Sequence, residues 1–218
     1  ILGYHYYTEL SHSAGLPREL IEESGIGPRE KVALLVPSLS AIENTAQYSW
    51  LLEMCQVFFG FEESRIDESN WEALYDSSER TMQAQDWELT VLEKSGLDQV
   101  YLTNDFDDPL EGFDTHLYVP CLRTDDLVFQ LQKQETRDRL TKASGVTAKD
   151  TGSMRRALGA LFDHFVAHNA AACAISLPPD FAPQKIADQR ADVVLNKVSG
   201  NLPLDDAEQQ DLSCFVFW

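Results

Sequence analysis

Three short apolar runs in the second half of the chain constrain its fold more than any other feature. They are QVYLTND at 99–105, HLYVPCLRTDD at 116–126 and AACAISLPPD at 171–180. Each run is continuous rather than alternating, which is typical of strands covered on both faces. Long helical patterns separate the second run from the third, and strand–helix–strand order favours a parallel sheet. The sequence therefore predicts an α/β fold.

Polar residues end each of these runs. Asn104 and Asp105 end the first run, Arg123 follows the apolar part of the second, and Ser176 ends the third. Parallel sheets and barrels carry their chemistry at the carboxyl ends of the strands, so we expect these side chains to border a site.

Arg123 is the strongest candidate at this edge. A guanidinium at a strand end can bind a carboxylate through two parallel hydrogen bonds. It can equally form an ion pair with Asp125 or Asp126, which follow it closely in the sequence. The sequence pattern leaves both interpretations open.

The first 97 residues show helical periodicity instead. From Glu43, apolar side chains recur at three- and four-residue spacing and predict an amphipathic helix. The stripe consists of Ala46, Trp50, Leu51, Met54, Val57 and Phe58. A second helix is predicted after Asn70, with Trp71, Leu74, Tyr75 and Met82 on a similar face, and a third over DWELTVLEKSG, ending at Gly96. We therefore divide the chain into a helical segment, 1–97, and a strand-containing segment, 98–218.

Two further segments of the second half carry clear patterns. SMRRALGALFDHFVAHN predicts a helix capped by Asp150 or Ser153, with an apolar stripe. The members of that stripe are Met154, Ala157, Leu158, Leu161, Phe162, Phe165 and Val166. The final CFVFW, at 214–218, predicts the start of another strand.

Composition excludes two classes of partner. The chain carries 36 acidic and 17 basic residues, a net charge of −19, which repels a phosphate backbone, so we expect no nucleic-acid partner. No apolar run approaches the roughly 18 residues of a membrane span, so we expect no membrane partner.

The cysteines indicate a reducing compartment. Cys55, Cys121, Cys173 and Cys214 show no CxxC spacing, and the first three lie within apolar runs. This pattern predicts buried free thiols and a cytoplasmic location.

Two segments resemble metal sites without matching one. His164 and His168 form an HFVAH pair at helical spacing, but Phe165 stands where a zincin has glutamate. FDDPLEGFD, at 106–114, clusters acids without the alternate spacing of an EF-hand loop. We interpret the histidines as edge residues of an outer helix and the acidic segment as a solvated loop.

The opening segment YHYYTEL, at 4–10, sets His5 and Tyr6 among aromatic residues. Such a cluster is usually part of a hydrophobic core. A tyrosine beside a histidine can also move a proton in acid–base catalysis.

Four stretches in order resemble the uronate isomerase family of the amidohydrolase superfamily. YHYYTEL is similar to that family's TYHYLxAE segment, and VYLTNDFDD to its second barrel strand. LYVPCLRTDDL is similar to the third strand, with its R-x-D-x-L ending, and CAISLPPDF to the fourth. The resemblance runs along nearly the whole chain and implies part of a (β/α)8 TIM-like barrel of the metal-dependent hydrolase type. Segment 1–97 would be a helical insertion after the first strand, and 98–218 would supply strands two to four, their helices and the start of the next strand.

The resemblance also implies an activity. Uronate isomerases interconvert an aldose uronate, such as D-glucuronate or D-galacturonate, and its ketose by metal-assisted proton transfer through an enediol. Carried over by position, Tyr6 would assist proton movement and His5 would hydrogen-bond a substrate hydroxyl or carbonyl. Arg123 would bind an anionic substrate oxygen, and Asn104 and Asp105 would contribute to substrate binding.

The departures from the family concern the metal. Its H-x-H pair on the first strand and its aspartate on the last have no counterpart here. We therefore expect a divalent cofactor, zinc by resemblance, whose ligands lie outside this chain segment. Since Ile1 is not an initiator methionine, we expect the chain to be the interior of a longer enzyme. Its partners would be a sugar-acid substrate, the remainder of the same polypeptide and possible further copies in a homo-oligomer.

Two alternatives stay open. The same fold could support a metal-dependent amidohydrolase acting on an acidic or sugar-lactone substrate, because barrels host many reactions. The chain could also be a non-catalytic, acidic, helix-rich interaction module.

Overall fold

A computed structural model describes residues 5–22 and 25–218, with the side chains of His5 and Glu22 outside the description. The chain divides into two compact units, Ile1–Leu97 and Asp98–Trp218.

The described part of the first unit is helical. Its helices are α1 His5–Ser13, α2 Arg18–Glu22, α3 Pro28–Leu39, α4 Ala46–Phe59, α5 Trp71–Met82 and α6 Trp87–Ser95. Thr45 caps α4 by accepting a hydrogen bond from the Tyr48 amide at 3.2 Å. Gly60 and Gly96 end α4 and α6 in the left-handed region, at φ +67° and +62°, where glycine carries no Cβ penalty.

The buried face of α4 differs from the predicted stripe. Its core side chains are Tyr48, Leu51, Cys55 and Phe59, whereas Trp50 and Val57 are 59% and 43% exposed. This helix is apolar on most of its circumference, so periodicity alone does not select the core face. Tertiary contacts select it: the buried Tyr48 hydroxyl accepts a hydrogen bond from the Ile66 amide at 3.0 Å.

The second unit combines short strands with helices. Its strands are β1 Val100–Tyr101, β2 Asn104–Asp105, β3 Tyr118–Val119, β4 Cys121–Arg123 and β5 Ala172–Ala174. Its helices are α7 Asp125–Phe129, α8 Gln134–Ser144, α9 Thr151–Ala167, α10 Asp188–Ser199 and α11 Asp206–Phe217. Every described strand pair is parallel: β1 pairs with β3, and β4 lies between β2 and β5. The predicted α/β fold with a parallel sheet is thus confirmed.

Each of the first two predicted strands is divided into two shorter ones. Pro120 stands between β3 and β4, where its missing N–H cannot join a ladder. Leu102 and Thr103 lie between β1 and β2, and the Leu102 amide still donates to the Val119 carbonyl at 2.9 Å. The division shifts the chain from a two-stranded sheet to a three-stranded one and leaves Asn104, Asp105 and Arg123 at strand ends.

Helix α9 forms where the sequence predicts it. The Asp150 carboxylate accepts a hydrogen bond from the Ser153 amide at 2.6 Å, and the Ser153 hydroxyl accepts one from the Asp150 amide at 3.0 Å, which completes a capping box. Met154, Ala157, Leu161 and Phe165 are buried, but Phe162 and Val166 are 45% and 65% exposed, so the stripe is narrower than predicted. Among the described helices, none is long and apolar enough to cross a membrane.

The prediction of a strand at the end of the chain is wrong, because residues 206–217 form α11. Asp205 caps this helix and forms a capping box with Glu208, which nucleates a helix upstream of the apolar run. Tertiary packing also favours the helical conformation, since α11 lies against α7 and α10 and buries Cys214, Phe215 and Val216. These tertiary contacts override the strand propensity of β-branched and aromatic residues.

All four cysteines are free thiols, as predicted. Cys55, Cys121 and Cys214 are buried, but Cys173 is exposed. The prediction of burial is therefore wrong for Cys173, which lies in β5 at one side of the three-stranded sheet.

Candidate active site at the carboxyl edge of the sheet

The parallel register of β2 and β4 places two predicted site residues opposite each other. Asp105 pairs in register with Arg123, at the carboxyl ends of both strands. These two residues, with Phe106 and Asp126, line a pocket of about 260 Å³. Three charged side chains therefore surround one small polar cavity, which matches the expectation for the edge of a parallel sheet.

Arg123 retains most of its hydrogen-bonding capacity. Its Nε lies 3.3 Å from Asp125 Oδ2, and its side chain is 48% exposed. Such an exposed, long ion pair contributes little stability. Within the described residues its terminal Nη groups have no hydrogen-bond partner, so they are available to a ligand carboxylate. Ser176, which follows β5, orients Asp125: the Ser176 amide donates a hydrogen bond to Asp125 Oδ1 at 3.1 Å.

Arg139, on α8, is the residue of this edge that sequence reasoning missed. Its Nε and Nη2 donate to the two oxygens of Asp107 at 2.9 and 2.5 Å, and its Nη1 donates to Asp126 at 2.7 Å. Asp105 lies 3.6 Å away, and the guanidinium sits over the Phe106 ring at 4.6 Å. The hydrogen bonds to Asp107 raise the pKa of Arg139 and lower the pKa of Asp107. One cation thus contacts three aspartates, of which Asp105 and Asp126 line the pocket.

The acidic segment 106–114 is therefore more than a solvated loop. Phe106 and Leu110 are buried in the core of the second unit, and Asp107 is bound by Arg139. Asp108 accepts hydrogen bonds from the Leu110 amide at 2.7 Å and from Asn104 Nδ2 at 3.1 Å. The sequence showed the acids but not their cation, because Arg139 follows Asp107 by 32 residues and stands in a polar helix without a motif.

Asn104 is buried at the end of β2 and is absent from the residues that line the pocket. Its Nδ2 donates to Asp108, while its Oδ1 is buried without a hydrogen-bond partner in the described part of the chain. An unsatisfied buried acceptor costs about 1–3 kcal/mol.

The opening aromatic cluster divides into two environments. Tyr7 belongs to the core of the first unit: its hydroxyl donates to the Gln47 carbonyl at 3.1 Å, and burial raises the pKa of Tyr7. Tyr6 is 52% exposed on α1. His5 begins α1, but its side chain lies outside the described residues. Both belong to the first unit and the pocket to the second, so their convergence with Arg123 stays a prediction.

The described residues do not form the zinc site that the resemblance implies. Among them, no group of three or more His, Cys, Asp or Glu side chains could hold a metal ion. His164 Nε2 lies 3.1 Å from the Asp108 carbonyl oxygen, and His168 Nδ1 lies 2.8 Å from that of His164. These contacts support the structural interpretation of the histidine pair.

Comparison with known proteins identifies the fold. Neither a protein-family model nor a curated protein sequence matches this chain. A uronate isomerase from Thermotoga maritima superposes with a TM-score of 0.82 at 19% identity, over 98% of this chain and 49% of that one. A glucuronate isomerase from Caulobacter crescentus gives a TM-score of 0.82 at 16% identity, over 98% of this chain and 47% of its own. The structural neighbours of this chain are therefore uronate isomerases, as the four sequence stretches predicted, and the chain shares their fold while spanning about half their length.

Proposed function

We propose that this chain is part of a uronate isomerase that interconverts an aldose uronate, such as D-glucuronate or D-galacturonate, and its ketose. The observation that carries the proposal is the pocket in which Arg123 stands opposite Asp105 with its terminal nitrogens unpaired in the described structure. The shared fold supports it, because the likeness covers 98% of the chain.

The strands are proposed to be part of a (β/α)8 barrel, with 1–97 as a helical insertion. Three parallel strands lie side by side in the order β2, β4, β5, as in a barrel wall. Ala172 and Cys173 of β5 are exposed, which suits pairing with a further strand.

The reaction requires a proton to move from C2 to C1 and the C2 hydroxyl proton to move to the C1 oxygen. In this proposal Arg123 binds the substrate carboxylate and thereby sets the reacting carbons at a fixed distance from the sheet edge. The exposed Tyr6 phenol relays a proton, and His5 hydrogen-bonds a substrate hydroxyl or carbonyl. Asp105, which lines the pocket, accepts a hydrogen bond from a sugar hydroxyl. Asn104 is assigned to substrate binding by its position at the strand end alone, because it is buried and does not line the pocket.

The cofactor and partners are further proposals. A divalent metal, zinc by resemblance, supplies Lewis acidity when bound, and its ligands are assigned to residues outside this chain segment. The remainder of the same polypeptide, and further copies in a homo-oligomer, are the proposed protein partners. A cytoplasmic location rests on the free cysteines alone.

An isomerisation assay on the intact protein tests this function. With zinc or manganese supplied, D-glucuronate or D-galacturonate should be converted to its ketose, and turnover of neither substrate would refute the proposal. Hydrolysis of a sugar lactone in the same preparation would instead favour the amidohydrolase alternative.

The role of Arg123 has its own test. Arg123→Met should raise KM for the uronate by about 10- to 100-fold, because a charge-assisted pair contributes roughly 1.5–3 kcal/mol. Binding of the neutral uronamide should change much less. Equal weakening for the acid and the amide would show that Arg123 does not bind the carboxylate.

A further inference from the structure

A second cavity is lined by described residues of the first unit. Its volume is about 500 Å³, within the range of small-molecule sites. Its floor is formed by Leu51, Cys55 and Phe59 of α4, and its walls by residues of α3 and α5. Burial raises the pKa of the Cys55 thiol to about 11, so the thiol is neutral at pH 7 and the floor carries no charge.

Helix α5 presents its apolar face to this cavity rather than to packed side chains. None of its residues, all of which the structure describes, is fully buried. Yet Trp71, Leu74, Tyr75 and Met82, the face that its periodicity predicts, all line the cavity. An apolar helix face that borders empty space is typical of a site whose ligand completes the packing.

Arg29 holds the cavity walls in place. From α3 it pairs with Asp76, and with Glu72 at 3.6 Å, both on α5. Its guanidinium also lies over the rings of Trp71 and Tyr75, at 5.6 and 5.1 Å. These contacts join α3 to α5 without filling the space between them, so the cavity is preformed.

The charges at the cavity indicate the polarity of the ligand. Lys31 lines it, is half-buried and has no ion pair or side-chain hydrogen bond with any described residue. Glu79 also lines it but is exposed, so water screens its charge. Ser78 already donates its hydroxyl to the Tyr75 carbonyl at 2.8 Å. Lys31 is therefore the lining cation that a buried ligand group can neutralise.

We propose that this cavity binds a small apolar molecule that carries one anionic group, with the apolar body between α3, α4 and α5 and the anion at Lys31. A sugar acid does not fit, because its hydroxyls would meet apolar walls without partners. The inference is independent of the proposed isomerase activity.

Calorimetric titration of the intact protein with decanoate and decanol, below their micelle concentrations, tests the proposal. Decanoate should bind with one-to-one stoichiometry and about tenfold more tightly than decanol, because only the carboxylate pairs with Lys31. Lys31→Met should abolish this difference while leaving decanol binding unchanged. Lys149→Met, which removes an exposed lysine of the second unit, is the matched control and should change neither affinity.

A second variant fills the cavity with a larger side chain at Leu74, one of its lining residues. Leu74→Trp should abolish binding of both ligands, with folding checked by near-UV circular dichroism. Absence of saturable binding to the wild type, or a decanoate preference that persists in Lys31→Met, would overturn the proposal whether or not Leu74→Trp folds.

Discussion

Replacing Arg139 with methionine removes the cation that binds three aspartates while keeping an apolar side chain against the Phe106 ring. The change eliminates the bidentate pair with Asp107 and the hydrogen bond to Asp126. Hydrogen bonds to charged groups contribute about 1.5–3 kcal/mol each, but these carboxylates are 30% and 42% exposed and regain water when released. We therefore expect Arg139→Met to lower the free energy of unfolding by about 2 kcal/mol in total.

The loss should depend on pH in a defined direction. Because Arg139 lowers the folded-state pKa of Asp107, the Asp107 contribution is present above the unfolded pKa of about 4. It is lost as the pH falls through the lower folded value. The difference between wild type and Arg139→Met should thus be full at pH 7 and shrink below about pH 4.

Urea unfolding of the intact protein at pH 7 and pH 3 measures both effects. The matched control is Arg155→Met, since Arg155 pairs with both oxygens of Asp188 and lies 5.5 Å from the Phe215 ring. Arg155 and Asp188 are 56% and 51% exposed, so this variant should lose measurably less stability than Arg139→Met. Equal losses for the two variants, or a loss at position 139 that is unchanged at pH 3, would refute the reasoning.

Arg139→Met also has a functional consequence if Arg123 binds the substrate. Freed from Arg139, Asp126 can pair with Arg123 across the pocket that both residues line. KM for the uronate should rise, and adding Asp126→Asn should restore it in part. A KM that stays raised in the double variant would show that the effect is structural.

Three further predictions concern stability and reactivity. Asp150→Ala should destabilise the protein at pH 7, whereas Asp150→Asn, which keeps an acceptor at the cap, should cost less; urea unfolding compares them. Because the hydrogen bond from the Ser153 amide lowers the Asp150 pKa, the loss of unfolding free energy in Asp150→Ala should shrink as the pH falls below about 4. Leu161→Ala should cost about 2–5 kcal/mol, since Leu161 is 1% exposed, while the neighbouring Phe162→Ala, at a 45% exposed site, should cost much less. In the 218-residue chain taken alone, iodoacetamide at pH 8 should label Cys173 before Cys55, because Cys173 is exposed there while burial raises the Cys55 pKa to about 11; mass spectrometry of timed samples decides the order.

Local signals explain why much of the fold could be predicted. The cap at Asp150 and the stop at Gly96 act within one helical turn, so neighbouring residues suffice to place them. The continuous apolar runs located the strand segments at 99–105, 116–126 and 171–180, because strands of a parallel sheet read as apolar stretches. The same pattern at 214–218 belongs to a buried helix, since a short apolar run by itself does not distinguish the two. The position of Asp105 and Arg123 at the carboxyl ends of strands was predicted from the same runs. The observed register places these two residues opposite each other.

The errors arose where a residue's environment depends on distant partners. Trp50 and Val57 fit the helical period of α4, but packing selected the face that carries Leu51 and Cys55. At the end of the chain, the strand propensity of 214–218 yielded to the capping box at Asp205 and to burial against two other helices.

The sequence by itself determined which segments are parallel strands and which polar residues end them, because apolar continuity and capping are properties of neighbouring residues. Only the tertiary structure decided which cation neutralises the acidic side chains near those strand ends. Arg139 meets Asp126 and Asp107 across 13 and 32 residues of chain, and no local pattern encodes that meeting. The charge balance of the pocket is thus set by helix packing, since an ion pair depends on distance in space and not on separation along the chain.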